Sequence, residues 1–262
     1  MKALMQAINN RYGLDFTNYE STSLKRGIVR LMLKHKMGSI LELWSKVLKD
    51  ADFFASAIDD LLVNLTELFR NPDVWLKLRD EILPNFSNSA SIKTWHAGCS
   101  TGEEVYTMSF ILDELNLLSK SRVMATDLST TALRKAHKGQ YSLQLIDQYV
   151  VPLLKFFPKQ KVEDYFETDA KTATIKPKYQ SNVTFQRHNL VTDPMNGLYD
   201  IIFCRNVMIY FDDELKRRVL DKLNERLKPD GFIIIGYYDI MPDYGKKLFK
   251  AFDVKTRIYQ KK

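Results

Sequence analysis

Residues 92–262 predict an α/β fold on an open, mostly parallel sheet, preceded by a small helical domain. Three observations carry that expectation. Four nearly continuous apolar runs have the character of strands buried on both faces: IKTWHAG from residue 92, RVMATD from 122, YDIIFCRN from 199 and FIIIGYY from 232. Helix-patterned stretches separate them, as parallel strands require. Residues 1–82 contain no such alternation and read mainly as helices.

In the helical front, LKRGIVRLMLKH places Leu24, Ile28, Leu31 and Met32 on one face. Arg26, Arg30 and Lys34, each one helical repeat apart, fall on another. ADFFASAIDDLLVNLTELFR (51–70) is a further helical region with a break near Asn64. LPNFSNSAS (83–91) is rich in Pro, Asn and Ser and reads as a linker between residues 1–82 and 92–262. Residues 102–117 are helical. STTALRKAHKG opens with Ser129 or Thr130 as N-cap and stops at Gly139. Residues 160–180 break the alternation and look like a short antiparallel β insertion. DDELKRRVLDKLNERLKPDG (212–231) is a helix with Leu215, Val219, Leu220, Leu223 and Leu227 inward, closed by Pro229 and Gly231. FDVKTRIYQ (252–260) alternates, as a last antiparallel strand would.

Composition narrows the class. Apolar residues make up 45% of 262, enough for a real core. No purely apolar stretch reaches the roughly 18 residues of a membrane span, and the first residues lack a secretory pattern. A cytoplasmic protein is the expectation, acting as a monomer. The two cysteines, Cys99 and Cys204, form no C-x-x-C, and the four histidines are scattered, which argues against a metal site or a disulfide framework. The net charge is +7, unevenly placed. Residues 25–36 hold five Lys/Arg and no acid, a patch suited to an acidic partner.

The chemistry begins at HAGCSTGEEVYTM (96–108). Glycine-rich strand-to-helix turns usually cradle phosphates, but here two acids follow the second glycine. A dinucleotide fingerprint needs G-x-G-x-x-G, and a P-loop needs a lysine where Glu103 stands. A carboxylate there repels phosphate and suits a cation, amine or hydroxyl. The second strand ends in Asp127, where an acid typically holds ribose hydroxyls. A ligand with a ribose, a positive or amino-bearing end and no phosphate near the turn fits S-adenosylmethionine.

STGEEVY (100–106), ATDLS (125–129) and FCRNVMIYF (203–211) resemble the CheR-type chemotaxis receptor methyltransferases. NLTELFR (64–70), NL (189–190) and LKPDGFIIIG (227–236) extend the resemblance over essentially the whole chain. The resemblance implies a class I S-adenosylmethionine-dependent methyltransferase domain, a helical N-terminal domain and a small β subdomain. It implies methyl transfer to the γ-carboxylate of glutamates on chemoreceptor cytoplasmic helices, giving a glutamate methyl ester and S-adenosylhomocysteine. By motif position, Asn64, Thr66 and Arg70 would face the cofactor from the front. Gly98 and Glu104 would lie at the glycine turn, and Asp127 on the ribose. Asn189 and Leu190 would flank the adenine, and Asn206 and Val207 would line the site after the fourth strand. Arg70 and Tyr210 would stand closest to the chemistry. The helix carrying Arg26, Arg30 and Lys34 would dock receptor.

The reaction needs little from the protein in proton chemistry. A glutamate carboxylate has a reference pKa of about 4.3 and is already an ionised nucleophile. Catalysis should come from alignment and desolvation. Arg70 can hold a carboxylate bidentately, either the substrate's or the cofactor's own. Tyr210 can donate a hydrogen bond or lay its ring near the sulfonium. His96 reads as a buried strand residue rather than a base, and His188 as shaping the adenine pocket. Many relatives carry GHSE after the fifth strand, where this chain has GYYD (Gly236–Asp239). Nucleic-acid aminomethylases carry an Asn/Asp-Pro-Pro-aromatic segment after the fourth strand, and RNVMIYF has no proline, so no nucleic-acid partner is expected. The alternatives are methylation of another protein or small molecule, or a cofactor-binding regulator without transfer activity.

Overall fold

The computed structural model describes residues 1–61 and 66–262. Four helices form the front: α1 (Lys2–Tyr12), α2 (Ser21–Lys34), α3 (Ile40–Lys49) and α4 (Ala51–Leu61). Their apolar stripes close on one another in a core that includes Leu4, Ile8, Leu24, Ile28, Leu43 and Phe54. Glu20 caps α2, accepting from the backbone N–H groups of Thr22 and Ser23 at 3.0 and 2.7 Å, which pulls its carboxyl down to about 2. Gly27 lets α2 and α4 touch, since a Cβ there would sit 2.8 Å from the Leu61 carbonyl oxygen. The expected break near Asn64 lies outside the described residues. No helix among the described residues is long and apolar enough to cross a membrane.

Helix α5 (Pro72–Lys77) follows, continued by π and 3-10 turns to Phe86. Leu68, Phe69, Trp75, Leu78, Ile82 and Leu83 belong to the core of the large sheet, with Phe110 and Phe203. The packing therefore changes hands before residue 68, ahead of the linker expected at 83–91. The apolar spacing of this stretch is helical on either reading. Which core it serves is set by contacts distant in sequence.

The large sheet contains β1 (Ile92–Ala97), β2 (Ser121–Asp127), β6 (Val183–Arg187), β7 (Tyr199–Cys204), β8 (Leu227–Ile235), β9 (Phe249–Asp253) and β10 (Ile258–Lys261), in the order β6-β2-β1-β7-β8-β10-β9. β1 is parallel to β2 and β7, and β7 to β8. β10 runs antiparallel between β8 and β9. Along β7, Ile201 and Phe203 point into one apolar layer and Ile202 and Cys204 into the other, as a sheet covered on both faces requires. The covering helices include α6 (Glu103–Glu114), α7 (Thr130–Lys138) and α10 (Asp213–Arg226). Ser129 caps α7 and Gly139 ends it in the left-handed region, both as expected.

Two boundaries move. The helix at 212–231 ends at Arg226, and Pro229 and Gly231 lie inside β8. The ladder jumps there from Tyr199–Leu227 to Ile201–Phe232, so the Pro-Asp-Gly run forms a bulge at the strand's start. FDVKTRIYQ spans the turn between β9 and β10: its first two residues end β9 and its last three begin the final antiparallel strand β10.

The insertion is a three-stranded antiparallel sheet, β3 (Gln140–Ser142), β5 (Thr172–Ile175) and β4 (Phe166–Thr168), in that order. It also carries α8 (Leu143–Phe156) and the short α9 (Val162–Tyr165). It begins at residue 140 rather than near 160, because β3 pairs with a partner some thirty residues further along the chain. The last helix, α11 (Asp243–Leu248), precedes β9.

Candidate active site

Between β1 and β7 the strand order reverses, and a crevice opens at the carboxyl ends of the strands. A cavity of about 270 Å³ fills it. The turn after β1 forms its floor. Gly98 takes φ 89°, and a Cβ on it would meet Val207 Cγ2 at 2.5 Å, so the residue has neither the conformation nor the room for a side chain. The N–H groups of Gly98 and Cys99 donate to the Thr126 carbonyl at 2.8 and 2.9 Å. Asp127, at the end of β2, accepts from Ser100 N–H at 2.8 Å on one oxygen and from Ser129 N–H at 2.9 Å on the other. Its carboxylate is thereby fixed in position. A carboxylate so held is an acceptor suited to hydroxyl donors.

The two acids after the glycines part company. Glu103 turns away from the cavity and is buried. Glu104 faces the cavity floor, with Oε1 2.9 Å from His96 Nδ1 and Oε2 3.1 Å from Arg205 Nη1. Burial pushes the Glu104 carboxyl up, but His96 and Arg205 outweigh it and hold it below its ordinary value. Arg205 is itself buried. It donates to the Arg70 carbonyl at 2.9 Å and to Asn71 Oδ1 at 2.7 Å, and lies over the Trp75 ring. His96 stacks on Phe203 as a buried strand residue and orients Glu104 from below.

Another wall of the cavity is built by the loop after β6. Asn189 accepts from Val191 N–H at 3.0 Å and donates its own N–H to Asp193 at 2.8 Å. From α10, the Lys222 ammonium clamps this loop by donating to the carbonyls of Leu190, Val191 and Asp193. Burial and the Lys222 charge pull the His188 imidazole down, so it stands neutral in the wall. Asn206, at φ 58°, is held by its N–H on Asp239 Oδ2 at 2.7 Å. Asp239 also takes Gly236 N–H at 2.8 Å. The GYYD segment thus ties the ends of β7 and β8 together and leaves Tyr238 exposed at the cavity mouth.

Residues 64–258 match the family model described as CheR methyltransferase, SAM binding domain, and residues 1–62 match CheR methyltransferase, all-alpha domain. The chain belongs to the CheR methyltransferase family. It is 34% identical over 236 residues to the Pseudomonas putida protein Cher3, covering 90% of this chain and 86% of that one. The Listeria monocytogenes chemotaxis protein methyltransferase is 30% identical over 257 residues, covering 96% of this chain and 95% of its own. Chemotaxis protein methyltransferase 1 of Vibrio cholerae is 31% identical over 217 residues, covering 79% and 76%. The chain is a methyltransferase, and S-adenosylmethionine is its cofactor.

The cavity brings together Thr66, Arg70, Gly98, Glu104 and Asp127 with Asn189, Leu190, Asn206, Val207 and Tyr210. Asn64 lies outside the described residues. The donors and acceptors fit an S-adenosylmethionine-sized ligand: a fixed carboxylate on one side, a carboxylate–guanidinium pair on the other, apolar Leu190 and Val207 between. Burial pushes the Tyr210 phenol up against the opposing pull of Arg30, Arg70 and Arg26, so it stands protonated as a donor.

Sequence reasoning passed over Arg205, Lys222 and Tyr19, and named Asp239 only as the end of GYYD, without its role in holding Asn206. Arg205 had a signal, since an arginine continuing a buried strand is seldom tolerated unless paired. Tyr19 reaches the cavity because the helical front docks on the segment after β7: Glu20 N–H donates to the Tyr210 carbonyl at 2.8 Å, and Asp212 N–H to the Asn18 carbonyl at 2.9 Å. On α2, the three cations are not equivalent. Arg30 donates to the Asp60 carbonyl and Lys34 pairs with the Asp60 carboxylate at 2.8 Å, tying α2 to α4. Arg26 is exposed beside Val29.

Proposed function

We propose that the chain methylates the γ-carboxylate of glutamates on chemoreceptor cytoplasmic helices. The observation that carries this is the convergence of Arg70 and Tyr210 with Glu104 and Asp127 in one cavity, with the charges of Arg26 and Arg30 close enough to act on the Tyr210 phenol. When bound, S-adenosylmethionine supplies an electrophilic methyl on a sulfonium, which departs as the neutral thioether of S-adenosylhomocysteine. Asp127 holds the ribose hydroxyls, and Asn189 and Leu190 flank the adenine. Thr66, Gly98, Asn206 and Val207 complete the wall. Glu104, backed by Arg205, takes the amino end.

The chain's task is then geometric. The incoming glutamate is already ionised, and no base is required. The Arg70 guanidinium offers a planar fork that can align a carboxylate, and the Tyr210 hydroxyl can donate to it. The half-buried setting of Tyr210 strips water from the approach, which strengthens each of these contacts. Arg26 attracts the acidic helix face, with Val29 and Leu33 exposed beside it for apolar contact. The reaction takes place in the cytoplasm, with one chain acting on one receptor helix at a time.

The test uses methyl-labelled S-adenosylmethionine and a receptor cytoplasmic fragment from the same cell. Base-labile, volatile label that disappears when the receptor's acceptor glutamates become glutamine is the expected result. Calorimetric cofactor binding without label transfer would reject the receptor reading.

A further inference from the structure

The glycine turn has a second face. Gly98, Ser100 and Gly102 all lie at positive φ, at 89°, 49° and 96°. A non-glycine residue such as Ser100 stays in that region only where its surroundings over-determine it. The cavity side supplies the Thr126 and Asp127 contacts described above. The other side is supplied by the insertion. Tyr141 on β3 donates its hydroxyl to the Thr101 carbonyl at 3.0 Å. Tyr149 on α8 donates to Glu103 Oε1 at 3.3 Å, and Thr101 Oγ1 donates to Glu103 Oε2 at 2.7 Å. The two tyrosine rings meet edge to face at 6.4 Å. Glu103 is only 3% exposed, and burial pushes its carboxyl up. Thr101, Glu103, Tyr141 and Tyr149 all lie outside the cavity lining.

We propose that Tyr141 and Tyr149 of the β insertion are positioning residues for the cofactor turn, acting through Thr101 and Glu103, so that the insertion sets cofactor affinity. This rests on the reading of the cavity as the S-adenosylmethionine site. If packing were the whole role, phenylalanine would serve at both positions without the need to place two hydroxyls in a largely buried setting. A turn with three left-handed residues relaxes when its back loses two donors. Ser100 and Gly98 then drift relative to Asp127, and the ligand must restore their order as it binds. The coupling is reciprocal: whatever displaces β3 or α8 weakens cofactor binding, and cofactor binding stiffens the insertion.

The experiment is calorimetric titration of the full chain with S-adenosylhomocysteine. Wild type is compared with Tyr141→Phe, Tyr149→Phe and the double variant, which keep both rings. The double variant should bind about tenfold more weakly, equivalent to about 1.4 kcal/mol, with each single change accounting for part. KM for the receptor fragment should not move. A folded double variant with a wild-type near-ultraviolet spectrum and a Kd within about twofold of wild type would overturn the proposal, whatever its Tm. If the double variant does not fold, the single variants decide by the same criterion. Asp127→Ala is titrated in parallel. Unchanged binding there overturns the reading of the cavity itself. Lost binding there with an unaffected tyrosine double variant overturns this inference alone.

Discussion

Replacing Glu104 by glutamine keeps its volume and one acceptor but removes its charge. Arg205, whose side chain is 3% exposed, then keeps two neutral acceptors, the Arg70 carbonyl and Asn71 Oδ1. Removing one partner of a buried pair costs about 3–5 kcal/mol, because the remaining charge stays out of water without compensation. The lower end applies here, since the Glu104 side chain is 14% exposed and Arg205 retains those acceptors. At about 2–4 °C per kcal/mol for a chain of this size, a loss of about 3 kcal/mol lowers Tm by roughly 6–12 °C. Thermal unfolding at pH 7 measures it, and S-adenosylhomocysteine titration should show weakened binding in the same variant. Adding Arg205→Met removes the lone charge and should recover part of the Tm, giving a coupling energy in the double-mutant cycle. A single variant within about 2 °C of wild type would refute the claim that this pair organises the cavity floor.

Acid stability follows from the same pair. Glu104 is held below its ordinary value, so the folded chain binds fewer protons there than the unfolded one. Its contribution is present above the ordinary glutamate range and is lost as pH falls through the lowered value, and Glu104→Gln should flatten that limb of the stability–pH curve. Gly98→Ala should abolish cofactor binding, and Val207→Ala should restore only part of it, because the clash at 2.5 Å is relieved while the φ of 89° stays unfavourable for alanine. Arg26→Glu should raise KM for receptor without changing S-adenosylhomocysteine affinity or Tm. Arg30→Glu should raise KM and also lower Tm, because Arg30 ties α2 to the Asp60 carbonyl; equal Tm values in the two variants would count against that distinction. Arg70→Lys should lower kcat by roughly tenfold or more, since an ammonium cannot reproduce a bidentate fork, and single-turnover methyl transfer reads it.

The alternation of apolar runs with amphipathic stretches determined the parallel sheet, because a strand buried on both faces leaves no polar alternation and a strict helical period leaves a stripe. Local signals also marked the Gly98 turn, the Asp127 strand end, the Ser129 cap and the Gly139 stop, each requiring a residue type at one position. Boundaries that depend on distant partners were not local. Residues 68–83 could serve either core by their pattern alone. Pro229 and Gly231 look like a helix stop and are a bulge, because the pairing with β7 overrides the turn signal. Of the two acids after the glycines, both were visible as charges, but only tertiary structure turned Glu104 onto Arg205 and His96 and buried Glu103 against Tyr149. Arg205 lies about a hundred positions from Glu104, and Tyr141 lies forty from Thr101. Pairings over such separations leave no periodic trace in the chain. They exist because the topology places the ends of β1 and β7, and the start of the insertion, against one turn.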